Sequence, residues 1–226
     1  MNNVRQIARC FFSAFFSCLL LCHSAEGANN DDSRSSEIDT IAGAYVTEGS
    51  PGFAIAVIRQ GELIFLKGYG LAEIKSGRSI DVDSSFRLAS VSKQFTAIAI
   101  AMLAERGKLK YEDDVYGDGG IYATVSDMAN WAIALDGNRL INEKTRKHIF
   151  STGHLNNGKR IDYGFGWRVE PDGNDAGPLI WHSGGWLGFS TYIVIYPARD
   201  LKIVVLSNNS GLKTYEMTEK IDKLYP

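Results

Sequence analysis

The chain has 226 residues, 45% of them apolar, with 24 basic and 26 acidic side chains and a formal net charge of -2. That is enough apolar material for one domain with a sizeable core, without the basic excess that a nucleic-acid partner would need. All three cysteines, Cys10, Cys18 and Cys22, fall in the first 27 residues, so beyond that stretch neither a disulfide nor a thiolate metal site can form.

Residues 1–27 read as a secretory signal peptide. Arg5 and Arg9 precede a short apolar run from Cys10 to Cys22, and Ala25-Glu26-Gly27 offers small residues where cleavage needs them. The expected mature chain starts near Ala28 and is secreted or periplasmic, with no stable membrane span once the signal is removed. A polar, flexible terminus is expected from Asn29 to Ser36, and one domain accounts for residues 28–226.

Ile38, Ile41, Ala42 and Tyr45 share a face and predict a helix over Glu37–Glu48, ended by Pro51-Gly52. Phe53 to Ile58 is apolar on both faces, as in a strand covered on both sides, and Gln60-Gly61 turns it into a second strand, Glu62–Tyr69. From Phe95 to Ala104 nearly every residue is apolar, and Gly107 stands where a left-handed cap belongs. This predicts a helix buried on all sides, yet too short to span a membrane. Lys108–Tyr116 is polar and turn-like. Thr124-Val125-Ser126-Asp127 has the form of a capping box, with Met128, Trp131, Ala132 and Leu135 at helical spacing behind it, and a short helix follows over Asn142–Phe150. Strands are expected at Tyr163–Val169, Leu179–His182, Phe189–Tyr196 and Leu201–Ser207, with a hairpin turn at Pro197–Asp200. Met217, Ile221 and Leu224 mark a closing helix. The fold class is therefore α/β (α+β): an antiparallel β-sheet flanked by helices, the terminal helices on one face and the Phe95–Ala104 helix on the other.

Ser90 and Lys93 stand at the start of that central helix, three residues apart, so their side chains stack a turn apart on one face. A hydroxyl held against an amine at the positive end of a helix dipole is a route to a serine nucleophile, because both neighbours favour the alkoxide. The letters alone decide little: Ser210-Gly211-Leu212-Lys213 repeats S-x-x-K but follows a strand-like run and reads as a loop. There is no G-x-S-x-G elbow, no H-E-x-x-H helix, no G-x-x-x-x-G-K-[ST] loop and no metal-ligand cluster.

With Arg87-Leu88-Ala89-Ser90-Val91-Ser92-Lys93-Gln94-Phe95-Thr96 and Trp181-His182-Ser183-Gly184-Gly185-Trp186-Leu187-Gly188-Phe189 in this order, the sequence resembles the serine β-lactamase and D,D-peptidase family, in particular its class C-like branch of penicillin-binding proteins and esterases. Gly119–Asp127 and Asp162–Trp167 support the match. The resemblance implies a β-lactamase/transpeptidase-like fold and an acyl-enzyme mechanism, with Ser90 as nucleophile and Lys93 as the amine that helps take its proton. It puts His182 at the first position of the K/H-x-G strand motif, towards the substrate carboxylate, with Ser183 and Gly184 on the same substrate-binding strand. The backbone N–H groups of Ser90 and Gly185 would form the oxyanion hole, preorganised as charge develops. No cofactor and no metal is implied, and the partner is a small-molecule or peptide substrate. Histidine rather than lysine at 182 points to an ester, amide or peptidoglycan-like peptide.

One part of the pattern is missing. The family's Y-x-N or S-x-N motif sits between the other two on a helical lobe, but here none of the ten tyrosines has Asn two positions on, and Ser207-Asn208-Asn209 follows His182. The helical subdomain is therefore expected to be truncated near 116–119. The cleft should be open to water and Ser90 weakly activated, unless Tyr111, Tyr116 or Tyr122 fills the gap. The alternatives are a domain that binds peptides or a partner without turnover, and a chain whose uncovered apolar surface promotes association.

Overall fold

The computed structural model describes residues 26–111, 117–174 and 177–226. Residues 1–25 of the expected signal, and Tyr116, lie outside the described residues.

Seven strands form the central sheet: β1 (Phe53–Arg59), β2 (Glu62–Tyr69), β3 (Tyr163–Gly164), β4 (Trp167–Asn174), β5 (Gly177–Trp186), β6 (Phe189–Tyr196) and β7 (Leu201–Ser207). Their order across the sheet is β2-β1-β7-β6-β5-β4-β3, and every neighbouring pair is antiparallel. Gln60 (φ 53°) and Gly61 (φ 75°) both adopt positive φ between β1 and β2, the twist a two-residue hairpin turn requires.

Burial on both faces explains the unbroken apolar runs of β1 and β7. Ala54, Ala56, Ile58, Val204 and Leu206 face one core, which they share with Ile98 and Ala101 of α2 (Lys93–Glu105) and with Val125, Met128 and Ala132 of α3 (Val125–Ala134). Phe53, Ile55, Val57, Ile203 and Val205 face the other, against Ile38 and Ala42 of α1 (Glu26–Gly43) and Met217 and Ile221 of α5 (Thr214–Asp222). The terminal helices thus lie on one face and α2 on the other, as expected from the sequence. Lys202 is buried within β7 and is met by Asp136, just past the end of α3.

The capping box holds: Thr124 Oγ1 accepts from Asp127 N and Asp127 Oδ2 accepts from Thr124 N, each at 3.0 Å. α4 (Glu143–Ile149) starts from Asn142, whose Oδ1 accepts from Thr145 N.

Two expectations are corrected. Helix α1 spans Glu26–Gly43, so Asn29–Ser36 is helical rather than a flexible terminus, and the helix stops five residues short of Glu48. No proline interrupts the polar stretch, and Ile38 and Ala42 anchor it to α5 through the shared core. Helix α2 is not buried on all sides. Only Gln94, Ala97, Ile98 and Ala101 are buried, while Phe95 and Ile100 are half-buried and Ala99 and Leu103 are exposed. The core shared with the sheet and α3 covers part of the helix, with Trp131 of α3 stacked on Phe95 and donating to Gln94 Oε1 (2.6 Å), and leaves Ala99 and Leu103 uncovered.

Candidate active site

The short strand pair Phe86-Arg87 and Tyr122-Ala123 leads into a 3-10 turn, Ala89–Ser92, which continues directly into α2. Three contacts fix that turn. Leu88 N donates to Ile121 O (2.9 Å), and the buried Thr191 hydroxyl of β6 donates to Leu88 O (2.9 Å). Gly184 of β5 lies beneath, where a Cβ would stand 2.2 Å from Leu88 O and 2.4 Å from Thr191 Oγ1, so only glycine lets the turn rest on the strand. From the other side Gly166 (φ 80°) packs against the backbone of Lys93, where a Cβ would come within 2.7 Å of its carbonyl carbon. Ala89 takes φ 50°, a left-handed conformation that costs an alanine about 1–3 kcal/mol, immediately before Ser90.

Lys93 Nζ donates to Ser90 Oγ (2.8 Å) and to the backbone carbonyl of Asp118 (2.9 Å). The two side chains line a cleft of about 350 Å³ together with Asp118, Gly119, Gly120, Gly185, Trp186 and Arg87. A Cβ on Gly185 would meet only open space, so the end of β5 presents bare backbone there. The segment Gly117–Gly120 lies over the start of α2, and its Asp118 carbonyl accepts a hydrogen bond from the Lys93 amine. None of the tyrosines proposed for the gap hydrogen-bonds Lys93 among the described residues; Tyr122 points to Arg87 and Tyr111 to Phe165.

His182 is 7% exposed and does not line this cleft. Its Nδ1 lies 2.7 Å from the backbone oxygen of Ser183, which can only accept, so Nδ1 carries the proton. In the neutral imidazole Nε2 is then the acceptor, and the Tyr163 hydroxyl donates to it at 2.9 Å. Burial pushes the His182 imidazole below its usual range, reinforced by the charges of Lys93 and Arg168 and opposed by the Ser183 hydrogen bond. Burial also pushes the Tyr163 hydroxyl up, which keeps it a donor.

The structure therefore brings together Ser90, Lys93 and Gly185 and separates the other sequence-predicted residues from them. His182 stands behind the cleft with both ring nitrogens engaged. Ser183 alternates with it along β5 and faces the groove walled by Trp181, Tyr192 and Leu212 on the α5 side of the sheet. Gly184 is a spacer under the turn. The second S-x-x-K, Ser210 to Lys213, is a loop whose lysine pairs with Glu216 (2.8 Å). Sequence reasoning missed Arg87, Tyr163 and the Asp118 carbonyl as parts of the site. A backbone oxygen leaves no trace in residue type, whereas the two side chains stood in the quoted motifs without a role. Among the described residues no group of three or more histidine, cysteine or carboxylate side chains could hold a metal ion, and no helix is long and apolar enough to cross a membrane.

The beta-lactamase family profile matches this sequence over residues 38–116 and 114–223. The chain belongs to the beta-lactamase family. Penicillin-binding protein 4* of Bacillus subtilis is 35% identical over 114 residues, 50% of this chain and 25% of that protein. A beta-lactamase of Yersinia enterocolitica is 36% identical over 77 residues (34% and 20%), and esterase EstB of Burkholderia gladioli is 40% identical over 63 residues (27% and 16%). The chain thus aligns with a quarter or less of the length of these relatives. Of solved structures, the octameric penicillin-binding protein homologue from Pyrococcus abyssi superposes with a TM-score of 0.68 at 14% identity, over 85% of this chain and 76% of that one. SurE with D-Leu gives a TM-score of 0.67 at 14% identity, over 87% and 74%. These two share the fold. Membership of the beta-lactamase family supports a serine-hydrolase type of function in general.

Proposed function

We propose that this member of the beta-lactamase family is a secreted serine hydrolase that forms an acyl-enzyme through Ser90 on an ester, amide or peptidoglycan-like peptide. The contact that carries the reading is the 2.8 Å hydrogen bond between Lys93 Nζ and Ser90 Oγ inside a cleft that Gly185 also lines. In the reactive state the amine is neutral: its lone pair takes the hydroxyl proton while Oγ bonds to the substrate carbonyl carbon. The developing oxyanion is met by the N–H groups of Ser90 and Gly185, the first held by the strained Ala89 turn and the second at the open end of β5. Lys93 then returns the proton to the leaving group, and water releases the acyl chain by the reverse sequence. The Asp118 carbonyl keeps one amine proton engaged, which leaves the lone pair free to turn to Ser90. His182 acts as a positioning residue in this scheme: neutral and bonded to Tyr163, it braces β5 behind Gly185.

The test is hydrolysis of a p-nitrophenyl ester and of nitrocefin by the parent protein and by Ser90→Ala. Ester turnover lost in the variant supports the reading. Turnover that survives it ends the Ser90 assignment, and a parent protein inert to both substrates supports a binding domain instead.

A further inference from the structure

The Ser90 cleft contains a second cation besides Lys93. Arg87 lines the cleft, half-buried, with its Nε shielded from solvent and without a hydrogen-bond partner. Among the described residues no carboxylate lies within ion-pairing reach of it. The other cations drawn into the fold are met: Lys202 by Asp136 and Arg199 by Asp222. Leaving a half-buried guanidinium unpaired costs free energy unless something outside the chain completes it.

Its surroundings hold the group without neutralising it. The guanidinium lies over the Trp186 ring, 4.1 Å from the centroid, and 5.9 Å from that of Tyr122. Stacking of this kind fixes the plane of the guanidinium and leaves its N–H fork free for a planar anion. Trp186 and Tyr122 are 51% and 57% exposed, so the anchored cation is flanked by a wet apolar rim beside Ser90. His182, the residue to which family resemblance gives the substrate anion, has both ring nitrogens occupied, and Ser183 faces the far side of the sheet.

We propose that Arg87 is the anion-recognition residue of this cleft, taking the carboxylate of a ligand whose apolar or aromatic group lies on Trp186 and Tyr122. The anion site thereby moves from the K/H-x-G strand to the strand that precedes the nucleophile. Calling that ligand the substrate rests on the Ser90 reading; the binding itself does not.

The experiment is calorimetric titration of the full chain with 3-phenylpropanoate and with its primary amide, on the parent, Ser90→Ala, Arg87→Met and Arg87→Lys, each checked by thermal unfolding. The acid should bind the parent and Ser90→Ala about tenfold or more tighter than the amide, the worth of a charge-assisted pair. Arg87→Met should bring the ratio to about one, and Arg87→Lys should keep part of it, because the charge survives and the fork does not. An acid that binds the parent no tighter than the amide overturns the proposal. So does a preference untouched by either Arg87 variant. If the preference follows Arg87 but no ester is turned over, the hydrolase reading fails alone.

Discussion

Gly184→Ala probes how the nucleophile is held. The added methyl would stand 2.2 Å from Leu88 O and 2.4 Å from Thr191 Oγ1, where real Cβ contacts stay beyond 3.0 Å, so the 3-10 turn must rise from β5 by about 0.8 Å. Because the obstructing oxygen belongs to the backbone, no rotamer change relieves it. Overpacking of this kind costs about 1–3 kcal/mol, and losing the buried Thr191–Leu88 hydrogen bond adds about 1 kcal/mol. At about 2–4 °C per kcal/mol for a domain of this size, Tm should fall by roughly 5–15 °C. Ser90 would move away from Gly185 with the turn, and a displacement near 1 Å costs about 100-fold in rate. The assay is thermal unfolding by circular dichroism together with the rate of fluorophosphonate labelling. Thr191→Val is the companion variant: it removes the hydrogen bond without the clash and should cost only about 1 kcal/mol. A Gly184→Ala protein that melts within a degree of the parent and is labelled at the parent's rate would refute the argument.

Other outcomes follow from the same geometry. Lys93→Met should lower the labelling rate by about 100-fold or more while the far-ultraviolet spectrum is unchanged, since it removes the proton acceptor and leaves the helix. The folded His182 imidazole is held below its ordinary 6.5, so its contribution to stability is complete above about pH 6.5. As pH falls below that value the unfolded chain protonates first, and the contribution is lost at up to about 1.4 kcal/mol per pH unit until the folded imidazole titrates. Denaturant unfolding at pH 7.5 and 5.5 should show a larger loss for the parent than for His182→Gln, and an intermediate one for Tyr163→Phe, which removes the donor to Nε2. On α2, Ile98→Ala should cost about 2–5 kcal/mol. Leu103→Glu, at a residue 41% exposed, should cost no more than about 0.5 kcal/mol, which urea titration distinguishes.

The sheet was legible because its strands announce their surroundings. Phe53–Ile58 and Ile203–Leu206 are apolar at every position for the reason that both of their faces meet a core. The same logic misled at α2. An all-apolar helix implies cover all round, but cover is supplied by elements distant in sequence, and here the sheet and α3 cover only part of it. Ser90 and Lys93 could be paired from their spacing together with the apolar helix that follows them, the context that Ser210 and Lys213 lack. His182 could not be placed by motif, although strand parity held the answer: Ile180 faces the α2-side core and His182 shares its side, whereas Ser183 must face the other way. The role of Gly184 was hidden because it depends on Leu88, nearly a hundred residues earlier, lying across it. The start of α1 was misjudged because a polar stretch without a core-facing stripe gives no periodic signal, even where it is carried by the anchored turns that follow.

The proposed chemistry depends on the hydroxyl of Ser90 being the group that becomes acylated. Labelling the purified protein with a fluorophosphonate and fragmenting the tryptic peptide Leu88–Lys93 reads this directly, since the peptide also contains Ser92, whose hydroxyl is turned inward towards Ile121 N. The Ser90 assignment predicts one adduct, on Ser90, absent from Ser90→Ala. An adduct on Ser92 or on any other residue, or an unmodified peptide from protein that turns over an ester, would contradict it.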